Sequence, residues 1–183
     1  MKDELKQIVN GCQKGDRTAQ AQLYQRFSTK MMGICMRYAK NKEDAEDVLQ
    51  EGFIKVFRDI HQLKTPEALI GWMRRVIVNT ALQHIRKRKT RLFPEVEIDQ
   101  IKEEYASEED IFSQFAAKQL LNMVQKLPDG YRAIFNMYVI EGFSHQEIAE
   151  KLDISVNTSK SQLSRARAAL RTKIETQLLI KSR

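Results

Sequence analysis

Cysteine, proline and glycine are all scarce in this chain of 183 residues, and long apolar runs are missing altogether. Seven glycines and three prolines, with no hairpin dipeptide between alternating segments, leave little room for a sheet and predict an all-α fold. No apolar stretch approaches the ~18–20 residues of a membrane span, so no membrane insertion is expected. The opening "MKDELKQIVNGC" is charged and lacks an apolar signal core, which points to a cytoplasmic protein. Cys12 and Cys35 stand in no CxxC or Cys/His cluster and read as free, buried thiols of a reducing compartment. The three histidines, His61, His84 and His145, fall on separate expected elements. No nucleophile, carboxylate pair or metal-ligand set gathers around them, so no catalytic residue, metal or cofactor is expected and the chain does not read as an enzyme.

Charge, by contrast, is abundant and unevenly placed. Residues 1–93 carry 19 Lys/Arg against 10 Asp/Glu, residues 94–110 one lysine against eight acids, and residues 111–183 carry 11 against 6. Two basic blocks on either side of an acidic strip predict two small helical domains, 1–93 and 111–183, joined by an acidic linker at 94–110. The linker opens on "FPEVEIDQ", shows no sustained amphipathic period, and repels a polyanion. Helices are predicted at 2–13, 17–39, 42–61, 66–90, 111–126, 129–141, 144–152 and 156–179. Asp16 and Asn41 are expected caps, Thr65-Pro66 supplies a cap with proline at the first helical position, and Ser144 with Glu147 forms a capping box.

The stretch "SHQEIAEKLDISVNTSKSQLSRARAAL", from Ser144 to Leu170, has the spacing of a helix-turn-helix. Ile148, Leu152 and Ile154 are inward positions, and Asp153 sits in the turn, where a left-handed residue is wanted. On a wheel of ~100° per residue, Val156, Ser159, Leu163, Ala166, Leu170 and Ile174 form the core stripe of the second helix. Thr158, Ser161 and Arg165 point away from it, while Lys160, Ser164, Arg167 and Arg171 line one flank. Short hydroxyls permit close approach to base edges, an arginine suits the two acceptors of guanine, and flanking cations suit phosphates. Entry of this helix into a DNA major groove follows.

The first block carries two other unusual helices. In "NKEDAEDVLQEGFIKVF" the stripe Ala45, Val48, Leu49, Phe53 and Val56 faces inward, and the opposite face presents Asp47, Gln50, Glu51 and Ile54. An acidic, amide-bearing face around an exposed isoleucine fits a basic protein partner better than DNA. The helix dipole alone explains Glu43 and Asp44, but Glu51 and Ile54 poorly. In "PEALIGWMRRVIVNTALQHIRKRKTR", Trp72, Arg75, Asn79 and Arg86 fall on one side. An aromatic, an amide and cations in a row have the composition of a single-stranded nucleic-acid surface, though Trp72 fits a core edge equally well.

Together the motifs "DAEDVLQEGFIKVF", "GWMRRVIVNTALQHIRKR" and "FSHQEIAEKLDISVNTSKSQLSRARAALR" resemble those of the bacterial sigma-70 family, specifically its extracytoplasmic-function (ECF) group, in order and separation. The resemblance covers nearly the whole chain. It implies a dissociable specificity subunit of core RNA polymerase that recognises promoter DNA at its −10 and −35 elements, and an anti-sigma protein as regulator. Asp47, Gln50 and Glu51 match the family's polymerase-clamp motif. Asn79 matches a position that contacts a flipped-out −10 base, with Leu63 in the adjoining loop. Lys160, Ser161, Arg165 and Arg167 match positions on the helix that reads the −35 element. The chain departs from the family at Asn157, often glycine, at Ser159, commonly valine, and at Gln162 and Ser164, frequently larger or basic. A stand-alone helix-turn-helix regulator is the alternative. It accounts for residues 144–179 but leaves the Asp47 face and the Trp72–Arg86 strip without purpose.

Overall fold

Residues 2–93 and 117–181 are described by the structure, a computed structural model. Among them there is no strand. They belong to two compact units, Met1–His84 and Ile85–Arg183. The acidic strip at 94–110 and the start of the helix expected from 111 lie outside the described residues.

The first unit is built on α1 (Lys2–Gln13), α2 (Arg17–Tyr38) and α3 (Lys42–Asp59), followed by α4 (Leu69–Arg86), whose last turn passes into the second unit. Each start has a local cause. The Asp16 carboxylate accepts from the backbone N–H groups of Thr18 and Ala19, and Asn41 Oδ1 accepts from Asp44, satisfying donors that the first helical turn leaves free. α2 packs against both α1 and α3. Its buried residues Ala19, Leu23, Phe27, Met31, Ile34, Cys35 and Tyr38 keep a three-to-four spacing, the apolar stripe of an amphipathic helix. Leu69, Met73, Ile77, Ala81 and Ile85 do the same on α4. Cys12 and Cys35 are both free and buried. Burial raises their thiols to about 11 and about 12, so they stay protonated at neutral pH.

The entry to α4 differs from expectation. Thr65 makes no side-chain capping bond, and Pro66–Ala68 forms a 3-10 turn before the α-helix begins at Leu69. The helix also ends at Arg86 rather than 90, with a short α5 (Lys89–Leu92) after a break.

In the second unit, α6 (Ala117–Gln125), α7 (Asp129–Phe135), α8 (His145–Leu152) and α9 (Val156–Lys181) surround a core that includes Ile134, Met137, Ile148, Leu152, Leu170 and Ile174. α9 packs on α7 and α8. A π-turn, Asn136–Ile140, interrupts the helix expected at 129–141, closed by the Glu141 N–H bonding to the Asn136 carbonyl at 2.9 Å. The capping box at the start of α8 is complete, with Ser144 and Glu147 bonding reciprocally. Asp153 takes the left-handed conformation, φ 57° and ψ 53°, which turns the chain from α8 into α9.

Candidate functional site

Three surfaces carry the expected functional residues. On α3, Asp47 and Gln50 are exposed, and Ile54 is 61% exposed, a large apolar side chain standing in water beside an acid and an amide. Glu51 does not stand free with them. Its carboxylate accepts from Lys55 Nζ at 2.6 Å and lies 2.6 Å from His84 Nε2 on α4. Lys55 also donates to Gln83 Oε1 at 2.6 Å and to the buried Thr80 hydroxyl at 3.3 Å. Hydrogen bonds from Lys55 and then His84 pull the Glu51 carboxyl from 4.5 down to about 2. Glu51 is therefore a half-buried tie between α3 and α4, and the face left open to solvent is Asp47, Gln50 and Ile54. The four-residue spacing of Glu51 and Lys55 signals half of this network in the sequence. His84, 33 residues further on, gives no such signal.

On α4, Arg75, Asn79 and Arg86 are exposed and Trp72 is half-buried, so the strip is one solvent-facing row along the helix. Leu63 does not join it. Its side chain is 8% exposed, and the Gln13 amide binds the carbonyls of Ile60 and Leu63, at 3.2 Å each, tying this loop to α1. A leucine between two polar neighbours turns inward because burial removes its apolar area from water. Direct DNA contact by the Leu63 side chain does not fit that placement, whereas the neighbouring Lys64 and Thr65 are exposed.

On α9, the stripe Ser159, Leu163, Ala166, Leu170 and Ile174 is buried as the wheel requires. Val156 is not part of it: at the first helical position it is 39% exposed, outside the cover that the neighbouring helices give from Ser159 onward. Gln162 is buried instead, at 4% exposure, close against Gly130 of α7. Ser155, which sequence reasoning missed, caps α9: its hydroxyl accepts from the Thr158 N–H at 2.9 Å and lies 2.8 Å from the Thr158 hydroxyl. The signal was present, a serine immediately before the first periodic residue. Ser161 donates back to the Thr158 carbonyl at 3.0 Å. Thr158 and Ser161 are thus fixed in place while their oxygens keep accepting capacity. Lys160 is exposed, and Ser164, Arg165, Arg167 and Arg171 are half-buried.

Among the described residues no group of three or more His, Cys, Asp or Glu could hold a metal ion. None of the helices in that set is long and apolar enough to cross a membrane.

Comparison with known proteins gives two family matches, described as Sigma-70 region 2 over residues 23–91 and Sigma-70, region 4 over residues 117–170. Similar chains include the ECF RNA polymerase sigma-E factor of Haemophilus influenzae, 29% identical over 92% of this chain and 94% of the relative. Another is the ECF RNA polymerase sigma factor SigW of Bacillus subtilis, 29% identical over 93% and 96%. A solved structure of CnrH in complex with the cytosolic domain of CnrY matches with 19% identity and a TM-score of 0.44, covering 92% of this chain and 96% of that one.

Proposed function

Because the chain belongs to the bacterial sigma-70 family, as a member of its ECF group, we propose that it directs core RNA polymerase to specific promoters by dividing the work among these three surfaces. Asp47, Gln50 and Ile54 engage a basic, partly apolar surface of the polymerase, and Glu51 keeps α3 and α4 in register beneath them. Trp72, Arg75, Asn79 and Arg86 hold the opened −10 strand by stacking, by edge recognition through the Asn79 amide, and by phosphate contact. Lys64 and Thr65 present the loop edge in place of Leu63. In the −35 element Thr158, Ser161 and Arg165 approach base edges while Lys160, Ser164, Arg167 and Arg171 take the sugar-phosphate side. Residues 1–93 form the polymerase and −10 module, 111–183 the −35 module, and 94–110 a tether whose charge keeps it off DNA. The protein acts in the cytoplasm, without catalysis of its own, and an anti-sigma protein is a further partner.

The observation that carries this reading is the contrast between two adjacent helices of one unit. α3 shows water an acid, an amide and an isoleucine, while α4 shows it an aromatic, an amide and cations. A stand-alone helix-turn-helix regulator needs neither. The test is transcription by purified core polymerase with the full chain. Asp47→Lys should weaken core binding about tenfold or more, through charge reversal at a complementary interface. Asn79→Ala should leave core binding intact and lower open-complex formation about tenfold, through lost hydrogen bonds to one base. Transcription that needs no core contact at Asp47, or open complexes indifferent to Asn79, would overturn the assignment.

A further inference from the structure

Arg167 is one of several cations on the outer flank of α9, but its surroundings are unlike those of Lys160. Its guanidinium carbon lies 5.9 Å from the centroid of the Tyr138 ring, in cation–π range. Tyr138 belongs to the π-turn and is 36% exposed, too open to be explained as core filling. It is nonetheless fixed in place. The His145 ring, at the start of α8, stacks on it with centroids 4.6 Å apart and an interplanar angle of 26°. His145 Nδ1 in turn shares a 2.9 Å hydrogen bond with the hydroxyl of Ser159, which is fully buried in α9. The path leaves α9 at Ser159, crosses α8 and the π-turn, and returns to α9 at Arg167. One buried hydroxyl, two rings and one cation thus link three elements. The π-turn widens the backbone locally, a distortion frequent at functional sites, and here it carries the tyrosine.

We propose that Tyr138 is a positioning residue for Arg167, holding the guanidinium at the edge of the DNA-facing surface before promoter binding, with His145 and Ser159 as its support. A free arginine loses much rotamer freedom when it meets a phosphate; one already stacked on a clamped ring loses less. Tyr138 itself need not touch DNA. This rests on the reading of α9 as the −35 helix, and the test separates the two claims.

Promoter affinity of reconstituted holoenzyme is measured for wild type, Arg167→Ala, Tyr138→Leu, Tyr138→Phe and the double variant Tyr138→Leu/Arg167→Ala, with core affinity titrated in parallel. Tyr138→Leu should weaken promoter binding about two- to fivefold, the range of an exposed cation–π contact. Tyr138→Phe, which keeps the ring face, should restore it. In the Arg167→Ala background the Tyr138→Leu loss should vanish, which damage to the fold cannot imitate. Equal losses in both backgrounds, or a loss of core affinity that accounts for the effect, would overturn the positioning role. An Arg167→Ala variant with unchanged promoter affinity would instead overturn the reading of α9, and the proposal with it.

Discussion

Glu51 shows how one side chain can match a motif and still have a different physical situation from its neighbours. Asp47, Gln50, Glu51 and Ile54 share a helix face by spacing, but Glu51 alone meets Lys55 and His84, and its carboxyl falls from 4.5 to about 2. A carboxyl depressed on folding stabilises the protein above its unfolded value and loses that contribution as pH falls toward the folded one. Glu51→Gln should therefore lower thermal stability at neutral pH, and the gap to wild type should close as pH falls from about 4.5 to about 2. Because the side chain is 36% exposed, solvent screens the pair and the gap should be modest. Melting curves across that pH window check it; a gap that stays constant would mean that the contribution of Glu51 is packing rather than charge. Leu63 and Val156 make the complementary point. One was expected at a surface and is buried, the other was expected in a core and is exposed. Periodicity assigns a residue to a face, but coverage at the end of an element depends on what lies opposite.

At the scale of elements, the side-chain caps at Asp16, Asn41 and Ser144 were legible because a capping bond is local, and Ser155 gave the same local signal although it was missed. The left-handed Asp153 was legible for the same reason. The π-turn was not. Residues 129–141 carry helical periodicity, and no glycine or proline falls within Asn136–Ile140 to mark the turn. The crossing of α3 and α4 was equally hidden. A Cβ on Gly52 would collide with Ile77 Cδ1, so the glycine sets how closely the two helices approach. Ile77 is fully buried, so its side chain would have to shift within the core. Gly52→Val should destabilise the protein by about 1–3 kcal/mol through overpacking, and adding Ile77→Ala should recover part of that loss. Thermal unfolding of the two variants decides it. A stable Gly52→Val protein would mean that the helices separate freely.

At the scale of the molecule, the charge pattern makes a prediction of its own. Residues 94–110 carry eight acids and one lysine between two basic blocks. Converting those acids to amides should raise the affinity of the free chain for non-specific duplex DNA at low salt. The difference should fade as ionic strength rises and the Debye length shrinks from ~10 Å at 0.1 M. A salt titration with a promoter-free duplex measures it, and affinity unchanged at low salt would show the strip to be a passive tether. The sequence by itself determined the all-α class, the helix-turn-helix and the outward row Arg75, Asn79 and Arg86. These follow from periodicity, capping and composition, which act over a few residues. Only the tertiary structure decided that Glu51 bonds to His84, that Gly52 meets Ile77, and that Ser159, His145, Tyr138 and Arg167 form one path. Each of those links joins separate elements, and the geometry that brings them within bonding distance exists only after the helices have packed.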